Sequence, residues 1–121
     1  MKIEQTPLKD CFVLTPAILE DERGTFYETY NKNLFKKVTG LDVNFVQDNE
    51  SMSSRGVLRG LHYQTSPHEG AKLVRCTRGS IWDVVLDLRS NSKTFKEWYG
   101  VELSYDNYKA NYVPEGCAHG Y

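Results

Sequence analysis

Arg59-Gly60-Leu61-His62-Tyr63-Gln64, Lys72, Asp83 and the run Pro114-Glu115-Gly116-Cys117-Ala118-His119 set a guanidinium, two imidazoles, an ammonium and a carboxylate on otherwise apolar segments. Charged or polar groups in such a setting must be paired or used, because burial strips them of hydration. A neutral histidine titrates near neutral pH and is suited to removing a carbon-bound proton, provided a carboxylate holds its tautomer. A nearby lysine would stabilise the oxygen of the resulting enolate. His62 is therefore the candidate base, Lys72 the candidate enolate partner and Asp83 a supporting acid. Each also has a plain structural reading. Core histidines are often only hydrogen-bonded, and Asp83 could brace a strand end or neutralise Lys72. Cys76 and Cys117 read as core residues, since nothing near them in sequence would generate a thiolate.

Those side chains need strands to position them. Alternation puts Lys72 on one face with Val74 and Cys76, and Asp83 with Ile81, Val85 and Asp87. The turn signal Arg78-Gly79-Ser80 predicts a hairpin that sets the two strands side by side and brings Lys72 towards Asp83. His62 shares a face with Leu58, Gly60 and Gln64, whereas Arg59 falls on the opposite face. If Arg59 and His62 are to touch one ligand, Gly60 must be a bulge or a bend. Further strand-like segments are Phe26–Tyr30, Val43–Gln47, Val57–Tyr63, Phe95–Leu103 and Tyr108–Val113, separated by turn signals including Glu22-Arg23-Gly24 and Asp106-Asn107. One short helix is expected around Asn33 to Val38, with Asn31 or Asn33 capping it, Leu34, Phe35 and Val38 forming its buried stripe and Gly40 ending it. The pattern is that of a mostly β sandwich or barrel.

The 121 residues are 40% hydrophobic and 26% charged, with a formal net charge of -1, which fits one domain with its own core. Fifteen Lys and Arg are interspersed among sixteen Asp and Glu, so neither nucleic acid nor a membrane surface is the expected partner. Three cysteines without a C-x-x-C spacing suggest neither a disulfide framework nor a zinc knuckle, and a reducing cytoplasm is the expected home. His62, Gln64, His68, Glu69 and His119 form a thinned-out ligand set. Gln64 stands where a metal-binding cupin offers its second histidine, so no metal is expected.

Taken together, Asp21 to Glu28, Phe45 to Ser51, Gly56 to Gln64, Lys72-Leu73-Val74 and Pro114 to Gly120 resemble the dTDP-4-dehydrorhamnose 3,5-epimerase family. The resemblance runs end to end and implies an all-β, cupin-like jelly roll that works without a cofactor as a homodimer, N-terminal strands crossing to the partner subunit. It implies epimerisation at C3 and C5 of dTDP-4-dehydro-6-deoxy-D-glucose, giving dTDP-4-dehydro-L-rhamnose. By motif, His62 is the base, Lys72 stabilises the enolate, His119 lies near the sugar, and Arg59 grips the pyrophosphate through paired charge-assisted bonds. Arg23, Phe26, Glu28, Gln47 and Asn49 match positions that contact the nucleotide or sugar. Family members continue beyond the Ala-His-Gly motif, and the continuation carries a proton-donating tyrosine and the aspartate that pairs with the base. Neither has a matching position here, so a domain 1–121 incomplete at its C-terminus is expected. Two alternatives stay open: a non-catalytic nucleotide-sugar binder, or a related cupin isomerase or single-carbon epimerase.

Overall fold

β-Branched and aromatic residues recur through Phe12–Thr15, Ser80–Asp87 and Trp98–Ser104, and such residues fit a pleated, half-buried surface. The computed structural model describes all 121 residues. Its elements are β1 (Lys2–Gln5), β2 (Phe12–Thr15), β3 (Leu19–Asp21), β4 (Gly24–Phe26), α1 (Lys32–Thr39), β5 (Lys72–Arg75), β6 (Ser80–Asp87), β7 (Trp98–Ser104), β8 (Ala110–Val113) and β9 (Cys117–Gly120). They form a four-stranded sheet in the order β1-β2-β8-β5, a three-stranded sheet in the order β7-β6-β9, and the separate hairpin β3-β4, all antiparallel.

The two larger sheets pack face to face. Val13 and Val113 of the first meet Val85, Val101 and Leu103 of the second, with Leu8, Cys11 and Cys117 filling between them. The other face of the four-stranded sheet carries Phe12, Leu14, Ala110 and Tyr112, and Phe35 of α1 closes over it. The Phe35 and Tyr112 rings lie edge to face at 5.3 Å. Because both faces of β2 and β8 are covered, these strands are apolar nearly throughout rather than alternating. Burying a side chain of the size of Phe35 stabilises by about 1.5–3 kcal/mol. The helix forms as its sequence requires: the Asn31 side chain accepts from the Leu34 N–H at 3.0 Å, and Gly40, at φ 77°, donates its N–H to the Lys36 carbonyl.

This is the expected all-β, cupin-like jelly-roll arrangement with one short helix, its sheets left open. Two local expectations are corrected. The Arg78-Gly79-Ser80 turn is not a hairpin: β5 pairs with β8, and β6 pairs with β7 and β9. The turn instead carries the chain from one sheet to the other, and Asp106-Asn107 does the same between β7 and β8. Val43–Gln47 and Val57–Tyr63 are not strands, and of Phe26–Tyr30 only Phe26 belongs to one, the end of β4. Their alternation still has physical content, since Val43 and Phe45 pack onto the Phe35 cluster while Asn44 and Val46 point to solvent. Val43–Gln47 has no neighbouring ladder, and Val57–Tyr63 is paired at Arg59 and His62 alone. No helix is long and apolar enough to cross a membrane.

Candidate functional site

Along its outer edge, β9 pairs with the segment that carries Arg59 and His62. Arg59 exchanges both backbone hydrogen bonds with Tyr121, at 2.7 and 2.9 Å, and His62 does the same with His119. Two residues, Gly60 and Leu61, therefore oppose Gly120 alone. That is a β-bulge, with Gly60 at φ 110° supplying the bend. Residues paired across a ladder share a face, and His119 and Tyr121 are two apart on one strand, so Arg59, His62, His119 and Tyr121 all project to the same side. The bulge required by the sequence parity is present. Outside the ladder, the Arg59 guanidinium is steadied by Ser53 Oγ at 2.8 Å and the Met52 carbonyl at 3.3 Å.

Beneath this face lies a buried polar chain that crosses the sandwich. Asp83 on β6 is fully buried, with one carboxylate oxygen 2.7 Å from His119 Nε2 and the other accepting from Asn111 Nδ2 on β8 at 2.9 Å. Asn111 Oδ1 in turn accepts from the Cys11 thiol at 3.6 Å. Burial pushes that thiol up to about 12, so it keeps its proton and acts as a donor. Lys72, opposite Val113 on β5, faces the same interior and is half-buried. Burial lowers its pKa, and the negative charge of Asp83 opposes that loss. Lys72 and Asp83 thus face one interior from opposite sheets, and no hairpin joins their strands.

The remaining expected contact residues sit apart. Arg23 at the tip of the β3-β4 hairpin is engaged with Asp21, and Glu28 accepts from Asn31. Phe26, 71% exposed, stands beside Leu19 on that hairpin with nothing of this chain covering it. Gln47 donates to Asn49 at 3.0 Å on an exposed stretch. The structure therefore links Arg59, His62, His119 and Asp83 through β9, turns Lys72 to the same interior, and leaves Arg23, Phe26, Glu28, Gln47 and Asn49 on the periphery. Sequence reasoning missed Asn111, Cys11 and Tyr121. Asn111 had a signal, a lone amide at the inward position of an apolar strand. Tyr121, whose hydroxyl meets Ser51 Oγ at 2.5 Å, had none before the bulge was known. A guanidinium and an imidazole on one face, over a second imidazole held by a buried carboxylate, form an arrangement with the chemistry to hold an anion and to move a proton.

The family model described as dTDP-4-dehydrorhamnose 3,5-epimerase matches residues 5–121. The dTDP-4-dehydrorhamnose 3,5-epimerase of Shigella flexneri is 46% identical over 121 residues, covering 100% of this chain and 67% of its own length. A crystal structure of the enzyme from Elizabethkingia anophelis superposes with a TM-score of 0.94 at 57% identity, over 99% of this chain and 66% of that one. The Legionella pneumophila dTDP-6-deoxy-D-glucose-3,5-epimerase, solved in complex with dTDP-4-keto-L-rhamnose, gives a TM-score of 0.92 at 42% identity, over 98% and 63%. The chain spans about two thirds of the length of the relatives it matches.

Proposed function

This chain belongs to the dTDP-4-dehydrorhamnose 3,5-epimerase family, and from that premise we propose that it epimerises dTDP-4-dehydro-6-deoxy-D-glucose at C3 and C5. In each half of the reaction His62 removes the proton from the carbon next to the C4 ketone. The electron pair passes into an enolate whose oxygen lies beside the Lys72 ammonium, and return of a proton to the opposite face inverts the carbon. Arg59 holds the pyrophosphate through its paired N–H groups, and His119 faces the sugar. The proton transfers involve no net redox change. The observation that carries this reading is the bulge at Gly60-Leu61, which turns Arg59 and His62 onto one face and so lets a single ligand meet its phosphate grip and its base together.

Arg23, Phe26, Glu28, Gln47 and Asn49 complete the reading as contacts to nucleotide and sugar. Their separation from His62 within one chain, and the bare aromatic face of Phe26, fit a homodimer in which the β3-β4 hairpin serves the neighbouring copy. The three unpaired thiols suit a reducing cytoplasm. One observation favours a second reading: His62 is exposed and bonds this chain through its backbone, and a base without an orienting partner is poorly positioned. Binding without inversion is the function that would remain.

Incubating the chain with dTDP-4-dehydro-6-deoxy-D-glucose in heavy water and following C3 and C5 by NMR tests both readings. Deuterium entry at both carbons with an L-configured product, lost in His62→Ala, is the expected result. Inversion at one carbon would mark a single-carbon epimerase. Tight dTDP binding with no exchange at either carbon would overturn the enzyme reading in favour of the binder.

A further inference from the structure

We propose that the buried chain Cys11–Asn111–Asp83 is a positioning device that fixes the His119 proton on Nε2, so that Nδ1 meets the ligand as a hydrogen-bond acceptor for a sugar hydroxyl. The directions of the bonds lead there. A protonated thiol can only donate to Asn111 Oδ1 at 3.6 Å, which turns the amide nitrogen onto Asp83. A carboxylate accepts and cannot donate, so the 2.7 Å contact needs a hydrogen on His119 Nε2. In a neutral ring, Nδ1 is then left with its lone pair. No side-chain nitrogen or oxygen is buried without a partner, and Nδ1 has no partner, so Nδ1 lies at the 5% of the residue that reaches the surface. His119 projects to the side of His62 and Arg59, which directs that nitrogen towards the ligand face. A lone pair repels a ketone oxygen and takes a hydrogen bond from a hydroxyl. His119 therefore reads a hydroxyl of the hexose, and Lys72 is left to serve the carbonyl. Asp83 and Asn111 touch no ligand in this scheme and act through His119.

The inference rests on the epimerase-site reading, and the test separates the two. In protein labelled with ¹⁵N at histidine, His119 is expected to give an Nε2–H proton at low field that exchanges slowly with water, with Nδ1 showing the shift of an unprotonated ring nitrogen. This needs no variant, and an Nδ1-protonated ring or a rapidly exchanging Nε2–H overturns the proposal. In Asp83→Asn the low-field resonance is expected to be lost, and affinity for dTDP-glucose to fall about fivefold, the worth of one neutral hydrogen bond, while affinity for dTDP is unchanged. An equal fall for both ligands would mean general damage to the fold and would overturn the positioning role. Wild-type protein that binds neither ligand would sink the epimerase-site reading and the hydroxyl assignment with it, whatever the ring resonance shows.

Discussion

Lys72 shows how a single residue's chemistry opposes its fold. Its ammonium is half-buried, burial depresses its pKa, and Asp83 restores only part of the loss. For a group whose folded pKa is depressed, the stabilising side of the balance lies above the unfolded value, about 10.4 for lysine, and is lost as pH falls through the folded pKa. At neutral pH the charged lysine is therefore a cost to the fold, one that the proposed role beside an enolate would account for. Lys72→Met is expected to unfold at a higher temperature than wild type near neutral pH, with the gap closing above about pH 10.4. Proton exchange at C3 and C5 should fall by about 10²–10³-fold, the usual consequence of removing a charge-stabilising donor. A variant less stable than wild type at neutral pH would show that Lys72 is a structural ion pair instead.

At the level of elements, the bulge between Arg59 and His62 decides whether the site exists. A Cβ on Gly60 would lie 2.7 Å from the His119 carbonyl oxygen and 2.8 Å from Gly120 Cα, both backbone atoms with little room to move. The φ of 110° adds strain for any L side chain. Gly60→Ala is expected to cost about 1–3 kcal/mol in urea unfolding and to separate Arg59 from His62, so that dTDP affinity and exchange fall together. Full activity in Gly60→Ala would mean the bulge is incidental. This element was legible in the sequence, because two residues wanted by one ligand had opposite parity with a glycine between them. The α1 caps and the inward positions of Lys72 and Asp83 were legible for the same reason, being fixed by local spacing. Sheet partners were not. Arg78-Gly79-Ser80 has the chemistry of a tight turn whether the chain folds back on its own sheet or crosses to the other, and only the distant strands β8 and β9 decide. Val57–Tyr63 alternates like a strand, but only Arg59 and His62 find partners, both on the free edge of β9.

Over the whole molecule, β6 carries two fully buried carboxylates on one face, four residues and about 13 Å of extended chain apart. Asp83 holds His119 and Asn111, and Asp87 locks the far end of the sandwich. Arg89 grips Asp87 through Nε at 2.9 Å and a terminal nitrogen at 2.8 Å, and also donates to the Lys9 carbonyl at 2.6 Å. Thr94 Oγ1 donates to the same carboxylate at 2.7 Å while accepting from the Lys9 N–H. One carboxylate thus ties the N-terminal segment, the end of β6 and the β6-β7 connection together. Burial pushes the Asp87 pKa up, but the hydrogen bonds from Arg89 and Thr94 outweigh it and hold the group well below the usual carboxylate range. The stability this confers is present above the unfolded pKa, about 3.9, and is lost as pH falls through the lower folded value. Asp87→Asn breaks a buried pair and leaves Arg89 with its side chain 22% exposed, so it should cost about 3 kcal/mol near neutral pH. Wild type unfolds more easily as acid protonates Asp87, whereas the variant has no charge there to lose. The difference in urea midpoint between the two should therefore shrink from about pH 4 downward. An undiminished gap at about pH 2 would place the lock in the Arg89 and Thr94 contacts to the backbone, with the charge of Asp87 contributing nothing.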